Sequence, residues 1–223
     1  MVTRIITIEG IDGSGKTVQF NLLKEYLLSH GYSVASREFP VYTSFFGKQV
    51  GKLLSGEDGV LATEVDQKSM ALWYALDRWE SFRDYRPGET DFLLMNRYVL
   101  SNAVYQSIRD RDLGKPDIMD WVFELEYGHF GLPRPDLNIF FDVNAKRAGQ
   151  NVDKKGFRDY VGAGRDVYEK SFGMQERARE MYLEAARRYD DVAVIGCMED
   201  GAMRAPGDIL ASVVSELEKR NIL

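Results

Sequence analysis

Short apolar runs alternate with longer stretches of helical periodicity along the whole chain. Five of the runs are predicted to form buried β-strands: Arg4–Ile8, Ser33–Phe39, Phe92–Met95, Leu137–Phe141 and Val192–Ile195. The stretches between them place apolar residues three or four positions apart, as amphipathic helices do. Strands that alternate with helices lie parallel and are joined by right-handed crossovers. The pattern therefore predicts an α/β fold with a doubly wound, five-stranded parallel sheet flanked by helices.

A glycine-rich turn separates the first strand from the first helix. Residues 9–17 read Glu-Gly-Ile-Asp-Gly-Ser-Gly-Lys-Thr and match the G-x-x-x-x-G-K-[ST] pattern of a phosphate-binding loop (P-loop). The strand before it and the helix after it argue against an ordinary glycine turn. Lys16 is predicted to reach the β- and γ-phosphates of a nucleoside triphosphate, and the Thr17 hydroxyl to bind Mg²⁺. The predicted ATP-binding residues are Gly10, Ile11, Asp12, Gly13, Ser14, Gly15, Lys16 and Thr17.

Length, charge and cysteine content restrict the possible partners. A chain of 223 residues with 44% hydrophobic content is predicted to form one domain over residues 1–223. Its net charge of −6 argues against binding to nucleic acid or to an anionic membrane, so the partner is expected to be a small molecule. Cys197 is the single cysteine, and no signal peptide or membrane span is recognisable. A soluble, cytoplasmic enzyme is expected.

Polar residues follow the third predicted strand, at the sheet edge where ligands bind in such folds. Asn96-Arg97-Tyr98 comes directly after that strand, and the next helix carries Asn102 and Gln106 one turn apart. A guanidinium beside a P-loop suits a position between donor and acceptor phosphates, and amide side chains suit a nucleobase edge. The alternative interpretation is a solvent-facing helix that begins with a surface arginine.

A long helical stretch is predicted between the second and third strands, over about residues 61–83. Its buried face is predicted to consist of Val65, Leu72, Trp73, Leu76 and Trp79. Tyr74 and Arg78 lie one turn apart on another face. They fit a nucleotide's base and phosphate, or equally a surface cation–π pair.

The composition changes after the fourth strand. Residues 145–165 contain six basic and two acidic residues together with several glycines, in a chain that is acidic overall. A glycine-hinged basic segment facing a P-loop is predicted to act as a lid that covers the triphosphate and excludes water. Without the P-loop, the same segment would be interpreted as a solvent-exposed surface loop.

Several motifs occur in the order found in thymidylate kinases, and the chain resembles that family over nearly its whole length. The motifs are the P-loop, Arg37-Glu38-Phe39-Pro40, Leu76-Asp77-Arg78-Trp79-Glu80, Asn96-Arg97-Tyr98-Val99-Leu100-Ser101, Tyr105-Gln106, residues 131–137 and Asp166-Val167-Tyr168-Glu169. The resemblance implies transfer of the γ-phosphoryl group of ATP to dTMP with Mg²⁺, which gives dTDP, and it implies a homodimer.

The resemblance also implies roles for individual residues. Asp12 corresponds to the acid that contacts the 3′-hydroxyl of dTMP, Phe39 and Pro40 to a wall of the monophosphate site, and Tyr74 to the ring that stacks on thymine. Arg78 and Arg97 correspond to cations on the acceptor phosphate. Base-reading positions are Ser101, Asn102, Tyr105 and Gln106. Lys16 and Arg97 are expected to be catalytic. In the family, an arginine acts on the transferring group either from the P-loop or from the lid, and the P-loop interior here has no arginine. The resemblance therefore implies a lid arginine, with Arg158 and Arg165 favoured and Arg147 and Lys154 as alternatives.

Two positions depart from the family pattern. Asn96 stands where the family usually has an aspartate that helps to hold the Mg²⁺ water shell, and Val41-Tyr42 stands where many members have an arginine. Asn96 and Thr17 are the predicted metal residues. A related kinase with another nucleotide or nucleoside acceptor, or a catalytically weakened nucleotide-binding homologue, is the alternative function. A GTPase or motor ATPase is disfavoured because it would need a separate D-x-x-G switch or an Asn-Lys-x-Asp segment, and neither has a convincing match.

Overall fold

The computed structural model describes residues 2–152 and 172–223. Its main sheet contains five parallel strands in the order β2-β3-β1-β4-β5, which confirms the predicted five-stranded parallel sheet. The strands are β1 (Arg4–Glu9), β2 (Val34–Glu38), β3 (Phe92–Asn96), β4 (Leu137–Asp142) and β5 (Val192–Gly196). A short antiparallel hairpin, β6 (Met198–Glu199) and β7 (Ala202–Met203), follows β5.

Helices connect and flank the strands. They are α1 (Lys16–Ser29), α2 (Phe45–Ser55), α3 (Gln67–Ser81), α4 (Val99–Asp112), α5 (Met119–Phe123), a π-helical turn (Glu124–His129), α6 (Ala145–Val152), α7 (Phe172–Arg188) and α8 (Pro206–Lys219). Gly31 follows α1 with φ +86°, which is the left-handed conformation expected of a glycine that ends a helix. None of the helices within the described ranges combines the length and hydrophobicity that a membrane crossing requires.

The central strands form the core of the protein. Ile6 and Ile8 of β1, Leu94 of β3 and Phe140 of β4 have no exposed surface. Tyr182 of α7 stacks on Phe140 with ring centroids 4.6 Å apart, which fixes α7 against the sheet. Such continuous burial is expected of parallel strands covered by helices.

The register of the strands aligns their carboxyl ends. Ile8 of β1 pairs with Asn96 of β3, and Glu9 pairs with Phe140 of β4. The P-loop after β1 and the Asn96-Arg97-Tyr98 segment after β3 therefore meet at one edge of the sheet, where open α/β sheets bind ligands.

The helical region before β3 differs from its prediction. The predicted single stretch over residues 61–83 was wrong: α3 begins at Gln67, where Asp66 caps it by accepting from the N–H groups of Lys68 and Ser69. An unpredicted helix, α2, precedes it.

The buried face of α3 was also predicted incorrectly. The buried residues include Met70, Ala71 and Ala75, whereas Leu72 and Trp79 are 37% and 44% exposed. Small alanine side chains allow α3 to pack closely against α4, with which it is in contact, and this packing turns the larger apolar side chains outward.

The predicted lid begins with an ordered helix. Helix α6 covers residues 145–152, and its buried residues include Ala145, Ala148 and Val152. Arg158 and Arg165 lie outside the described residues, as does the Asp166-Val167-Tyr168-Glu169 motif.

Candidate active site

The P-loop packs tightly against α6. Gly13 has φ +83°, and a Cβ atom there would lie 2.0 Å from the carbonyl oxygen of Ala148. Only glycine tolerates both this conformation and this approach. The Asn151 side chain donates a hydrogen bond to the Gly13 carbonyl at 2.9 Å. The first part of the predicted lid is therefore in direct contact with the phosphate loop.

Lys16 lies at the start of α1 with its ammonium group over the loop. Nζ donates to the carbonyl oxygens of Gly10 at 2.9 Å and Ile11 at 2.8 Å, and it lies 4.0 Å from Asp12 Oδ1. An ammonium group held by backbone acceptors can exchange them for phosphate oxygens.

A cavity of about 390 Å³ adjoins the P-loop. Its lining includes Gly13–Gln19 from the loop and α1, and Arg147 and Asn151 from α6. Met203 of β7, the adjacent Arg204, and Pro206 and Ile209 of α8 complete it. Thr17 is exposed at this cavity. Charged and apolar groups thus line one space beside the loop, as a nucleotide's phosphates and base require.

Arg97 joins the carboxyl end of β3 to the P-loop. Its Nη2 pairs with the carboxylate of Asp12, and its Nη1 donates to Ser101 Oγ at 3.1 Å. The guanidinium carbon is 5.7 Å from the centroid of the Tyr105 ring. Burial lowers the pKa of Arg97, but Asp12 and other nearby groups outweigh that effect and raise the pKa, so the side chain stays cationic.

The backbone of Arg97 is in the left-handed region, with φ +62°. Glu9, a fully buried residue at the end of β1, holds the adjacent chain: its carboxylate accepts from the Tyr98 N–H at 2.8 Å and the Ser101 hydroxyl at 2.5 Å. The Tyr182 hydroxyl of α7 donates to the same carboxylate at 3.0 Å. Sequence analysis assigned Glu9 no role, although an acidic residue in an apolar strand was a visible signal.

Gln175 is a second residue that sequence analysis missed. Its Oε1 accepts from the Asp12 N–H at 3.1 Å, and its Nε2 donates to Asp12 Oδ2 at 3.2 Å. The Tyr105 hydroxyl donates to the same Oε1 at 3.4 Å. Because Gln175 lies on α7, this contact connects the helix after the lid segment to the P-loop.

Arg78 is buried, so the surface cation–π interpretation was wrong. Its Nε and Nη2 donate to both carboxylate oxygens of Glu126, at 2.5 and 2.6 Å. Burial lowers the pKa of Arg78, but the Glu126 carboxylate outweighs that effect and raises it. The positive charge of Arg78 is therefore largely offset within the protein.

Two amide side chains of α4, Asn102 and Gln106, each have one buried polar atom without a hydrogen-bond partner among the described residues. Asn102 Nδ2 donates to Ala71 O at 3.0 Å and to Glu126 Oε1 at 2.9 Å, whereas its buried Oδ1 has no partner among the described residues. Gln106 Oε1 accepts from Arg109 at 2.8 Å, and its Nε2 has no partner in the same part of the chain. Buried polar atoms normally have partners, so these two are candidates for ligand contacts.

The loop after β2 is fixed by a buried carboxylate. Asp77 accepts from the Val41 N–H and from the Ser44 hydroxyl, each at 3.0 Å. Burial raises the pKa of Asp77. Phe39, just before Pro40, packs on Phe82 with centroids 6.2 Å apart, so the predicted wall of the acceptor site rests on the core.

Asn96 faces a carboxylate at the end of β2. Its Nδ2 donates to Glu38 Oε1 at 2.5 Å, and its buried Oδ1 has no partner among the described residues. The ranges 2–152 and 172–223 contain no cluster of three histidine, cysteine or acidic residues suited to a metal. An exposed threonine, and an amide oxygen with no partner in the described part of the chain, fit Mg²⁺, which takes most of its ligands from phosphates and water.

Residues 8–198 match the family model for thymidylate kinase. The chain belongs to the thymidylate kinase family. A thymidylate kinase from Mycobacterium tuberculosis is 34% identical over 185 residues, which cover 82% of this chain and 85% of that protein. A probable thymidylate kinase from Thermococcus onnurineus is 29% identical over 223 residues, covering 96% of this chain and 99% of that protein.

A solved thymidylate kinase structure from Candida albicans has the same fold. It superimposes with a TM-score of 0.74 at 19% identity, covering 99% of this chain and 93% of that one. The family resemblance and the P-loop kinase fold inferred from the sequence are therefore confirmed. The roles of individual site residues remain predictions.

Proposed function

We propose that this member of the thymidylate kinase family transfers the γ-phosphoryl group of ATP to dTMP and forms dTDP. The observation that carries the proposal is the position of Arg97, whose guanidinium pairs with Asp12 of the P-loop and donates to Ser101 of α4. A cation at that junction lies between a triphosphate cradle and the predicted acceptor site. Family membership supplies the reaction.

The acceptor base is recognised by a donor and an acceptor whose orientations are fixed. Asn102 Oδ1 is left to accept a hydrogen bond, and Arg78 retains N–H groups beyond those bound to Glu126. Thymine presents an N3–H donor beside a carbonyl acceptor, whereas cytosine presents an acceptor at N3. This pattern favours thymine or uracil over cytosine.

Arg78 is assigned to the base and Arg97 to the acceptor phosphate. The sequence resemblance gave both arginines to the phosphate, but the carboxylate of Glu126 already offsets the charge of Arg78. A charge-neutralised guanidinium suits a neutral carbonyl better than a dianion. Tyr74 and Tyr105 remain predicted contacts of the nucleoside, and Phe39 and Pro40 remain the predicted wall.

The donor nucleotide occupies the cavity beside the P-loop. Loop N–H groups and Lys16 take its phosphates, while Met203, Pro206 and Ile209 offer apolar surface to adenine. Arg147 and Arg204 line the same cavity and add positive charge. Thr17 and Asn96 would hold Mg²⁺, which when bound neutralises charge on the β- and γ-phosphates.

The chemistry requires positioning and charge neutralisation more than covalent catalysis. The acceptor phosphate is itself the nucleophile, so no strong base is needed. Lys16 and Arg97 reduce the repulsion between the two phosphate groups and hold them in line. A lid arginine, Arg158 or Arg165, completes the charge stabilisation and closes the site to water.

The enzyme acts as a cytoplasmic homodimer. Phe45 of α2 and Leu72 and Trp79 of α3 are 62%, 37% and 44% exposed, which leaves apolar surface uncovered on two helices that pack together. Burial of such a surface stabilises association. Sedimentation equilibrium is expected to give the dimer mass, and Trp79→Glu is expected to shift it toward the monomer.

A coupled assay tests the activity. Purified protein is supplied with ATP, Mg²⁺ and, separately, dTMP, dUMP, dCMP, dGMP or thymidine. The proposal expects dTMP to give the highest kcat/KM and thymidine to give no turnover. Preference for another monophosphate or for thymidine would favour the alternative acceptors, and ATP binding without turnover would indicate a non-catalytic homologue.

A further inference from the structure

Glu126 contacts two of the side chains that the proposed function assigns to the base. Its carboxylate accepts from Arg78 Nε and Nη2, at 2.5 and 2.6 Å, and from Asn102 Nδ2 at 2.9 Å. The side chain of Arg78 is 3% exposed and that of Glu126 is fully buried. A buried ion pair commonly adds no more stability than an apolar pair of the same size. Stability alone therefore does not explain why Arg78 and Glu126 are paired inside the protein.

A rare local structure supplies this carboxylate. Glu126 lies in the π-helical turn Glu124–His129, which follows α5, and the Phe130 N–H donates to Leu125 O at 2.9 Å across that turn. Single π turns are uncommon and concentrate at functional sites. Glu126 is thus placed by a departure from regular α-helix.

The contact with Glu126 determines how the Asn102 amide faces. Ala71 O and the Glu126 carboxylate are both acceptors, so the amide can satisfy them only with its nitrogen. The oxygen then remains as the buried atom without a partner among the described residues. A reversed amide would set its oxygen against two acceptors and would present a donor to the ligand instead.

We propose that Glu126 is a positioning residue for pyrimidine selectivity. By holding Arg78 and Asn102 together, it fixes one donor and one acceptor in the pattern that matches the N3–H and carbonyl of thymine and opposes the N3 acceptor of cytosine. The inference rests on the proposed function and deepens it, because it assigns selectivity to a residue that reads the base only through others.

Glu126→Gln is the decisive variant. Glutamine has almost the same volume but replaces one acceptor oxygen with an N–H₂ group, so it cannot accept all three hydrogen bonds. The ratio of kcat/KM for dTMP to that for dCMP is expected to fall at least tenfold, mainly through a higher KM for dTMP. The KM for ATP and the dTMP to dUMP ratio are expected to stay unchanged, because thymine and uracil share N3–H.

The controls separate positioning from folding. Glu124→Gln changes an exposed residue of the same turn and is expected to leave every ratio unchanged. If Glu126→Gln does not fold, Glu126→Asp, which keeps the charge but shortens the reach, is expected to lower the dTMP to dCMP ratio in the same direction. An unchanged ratio in a folded Glu126 variant overturns the inference, and failure of both variants to fold assigns Glu126 to stability instead.

Wild-type activity distinguishes this inference from the proposed function. A wild-type protein that does not phosphorylate dTMP refutes the proposed function itself. A wild-type protein that prefers dTMP, with Glu126 variants that keep the same preference, refutes only the role of Glu126.

Discussion

Arg97 and Asp12 form an ion pair that connects the carboxyl end of β3 to the P-loop after β1. Although they are 85 positions apart in the chain, adjacent parallel strands place them at one sheet edge. The pair also connects to α4, since Arg97 donates to Ser101, and to α7, since Gln175 binds Asp12. The predicted acceptor cation is therefore held from several sides before a substrate binds.

Replacement of Arg97 is expected to disable phosphoryl transfer. Arg97→Met removes the cation between the two phosphates, and kcat/KM for dTMP is expected to fall by about a hundredfold or more. Arg97→Lys keeps the charge but loses the forked hydrogen bonds, so an intermediate loss is expected. The exposed Arg83→Met serves as the control in steady-state assays, and equal activity in all three variants would contradict the role.

Removal of a lid arginine is expected to slow the chemical step. Arg158→Ala or Arg165→Ala should lower kcat by roughly a hundredfold or more if that side chain touches the transferring group, with little change in the Kd for ATP. Single-turnover measurements separate the chemical step from product release. Wild-type rates in both variants would remove the lid assignment.

Asn96→Asp is expected to change the Mg²⁺ requirement. In the wild-type protein, Glu38 accepts a hydrogen bond from the Asn96 amide. The substitution replaces that amide with a second carboxylate, which repels Glu38. The double variant Glu38→Gln with Asn96→Asp removes that repulsion, and it is expected to need a several-fold lower Mg²⁺ concentration for half-maximal activity. Titration of Mg²⁺ at saturating ATP measures this, and an unchanged requirement in both variants would place residue 96 away from the metal.

A cluster between α4 and α7 is expected to make stability depend on pH. The two hydrogen bonds from Arg111, at 2.7 Å each, hold the pKa of Glu184 below its ordinary value of 4.5. A lowered folded-state pKa contributes stability above pH 4.5 that is lost as pH falls through the folded-state value. Glu184→Gln is therefore expected to cost roughly 0.5 kcal/mol at pH 7 and less than that at pH 3, which lies below 4.5.

Urea unfolding at both pH values measures that difference. Glu218→Gln, which changes an exposed residue of α8, is the matched control and is expected to cost little at either pH. A loss that stays the same at pH 3 would show that ionisation of Glu184 is not its source.

The sequence was sufficient for the fold because its signals are local. Apolar runs located all five strands of the main sheet, and the P-loop pattern located its glycine-rich turn. The rule that ligands bind at the carboxyl ends of strands then selected Arg97 and Asn96 correctly as residues at that edge.

The partners of those residues were not predictable in the same way. Contacts between distant segments give Glu9, Glu126 and Gln175 their roles. The sequence around a carboxylate or amide does not indicate which distant residue it will contact. The prediction of the buried face of α3 failed for a related reason. The alanines of α3 pack closely on α4, whereas periodicity alone assigned the larger Leu72 and Trp79 to the core. Packing decided which hydrophobic residues were covered.

Transfer of radiolabel from the γ-phosphate of ATP to dTMP is the most direct test of the central claim. Wild-type protein with Mg²⁺ is expected to give labelled dTDP in a one-to-one ratio with ADP, while Lys16→Met gives almost none and the exposed-site control Lys48→Met matches wild type. ADP formation without labelled dTDP, or labelled dTDP from Lys16→Met at the wild-type rate, would contradict the account.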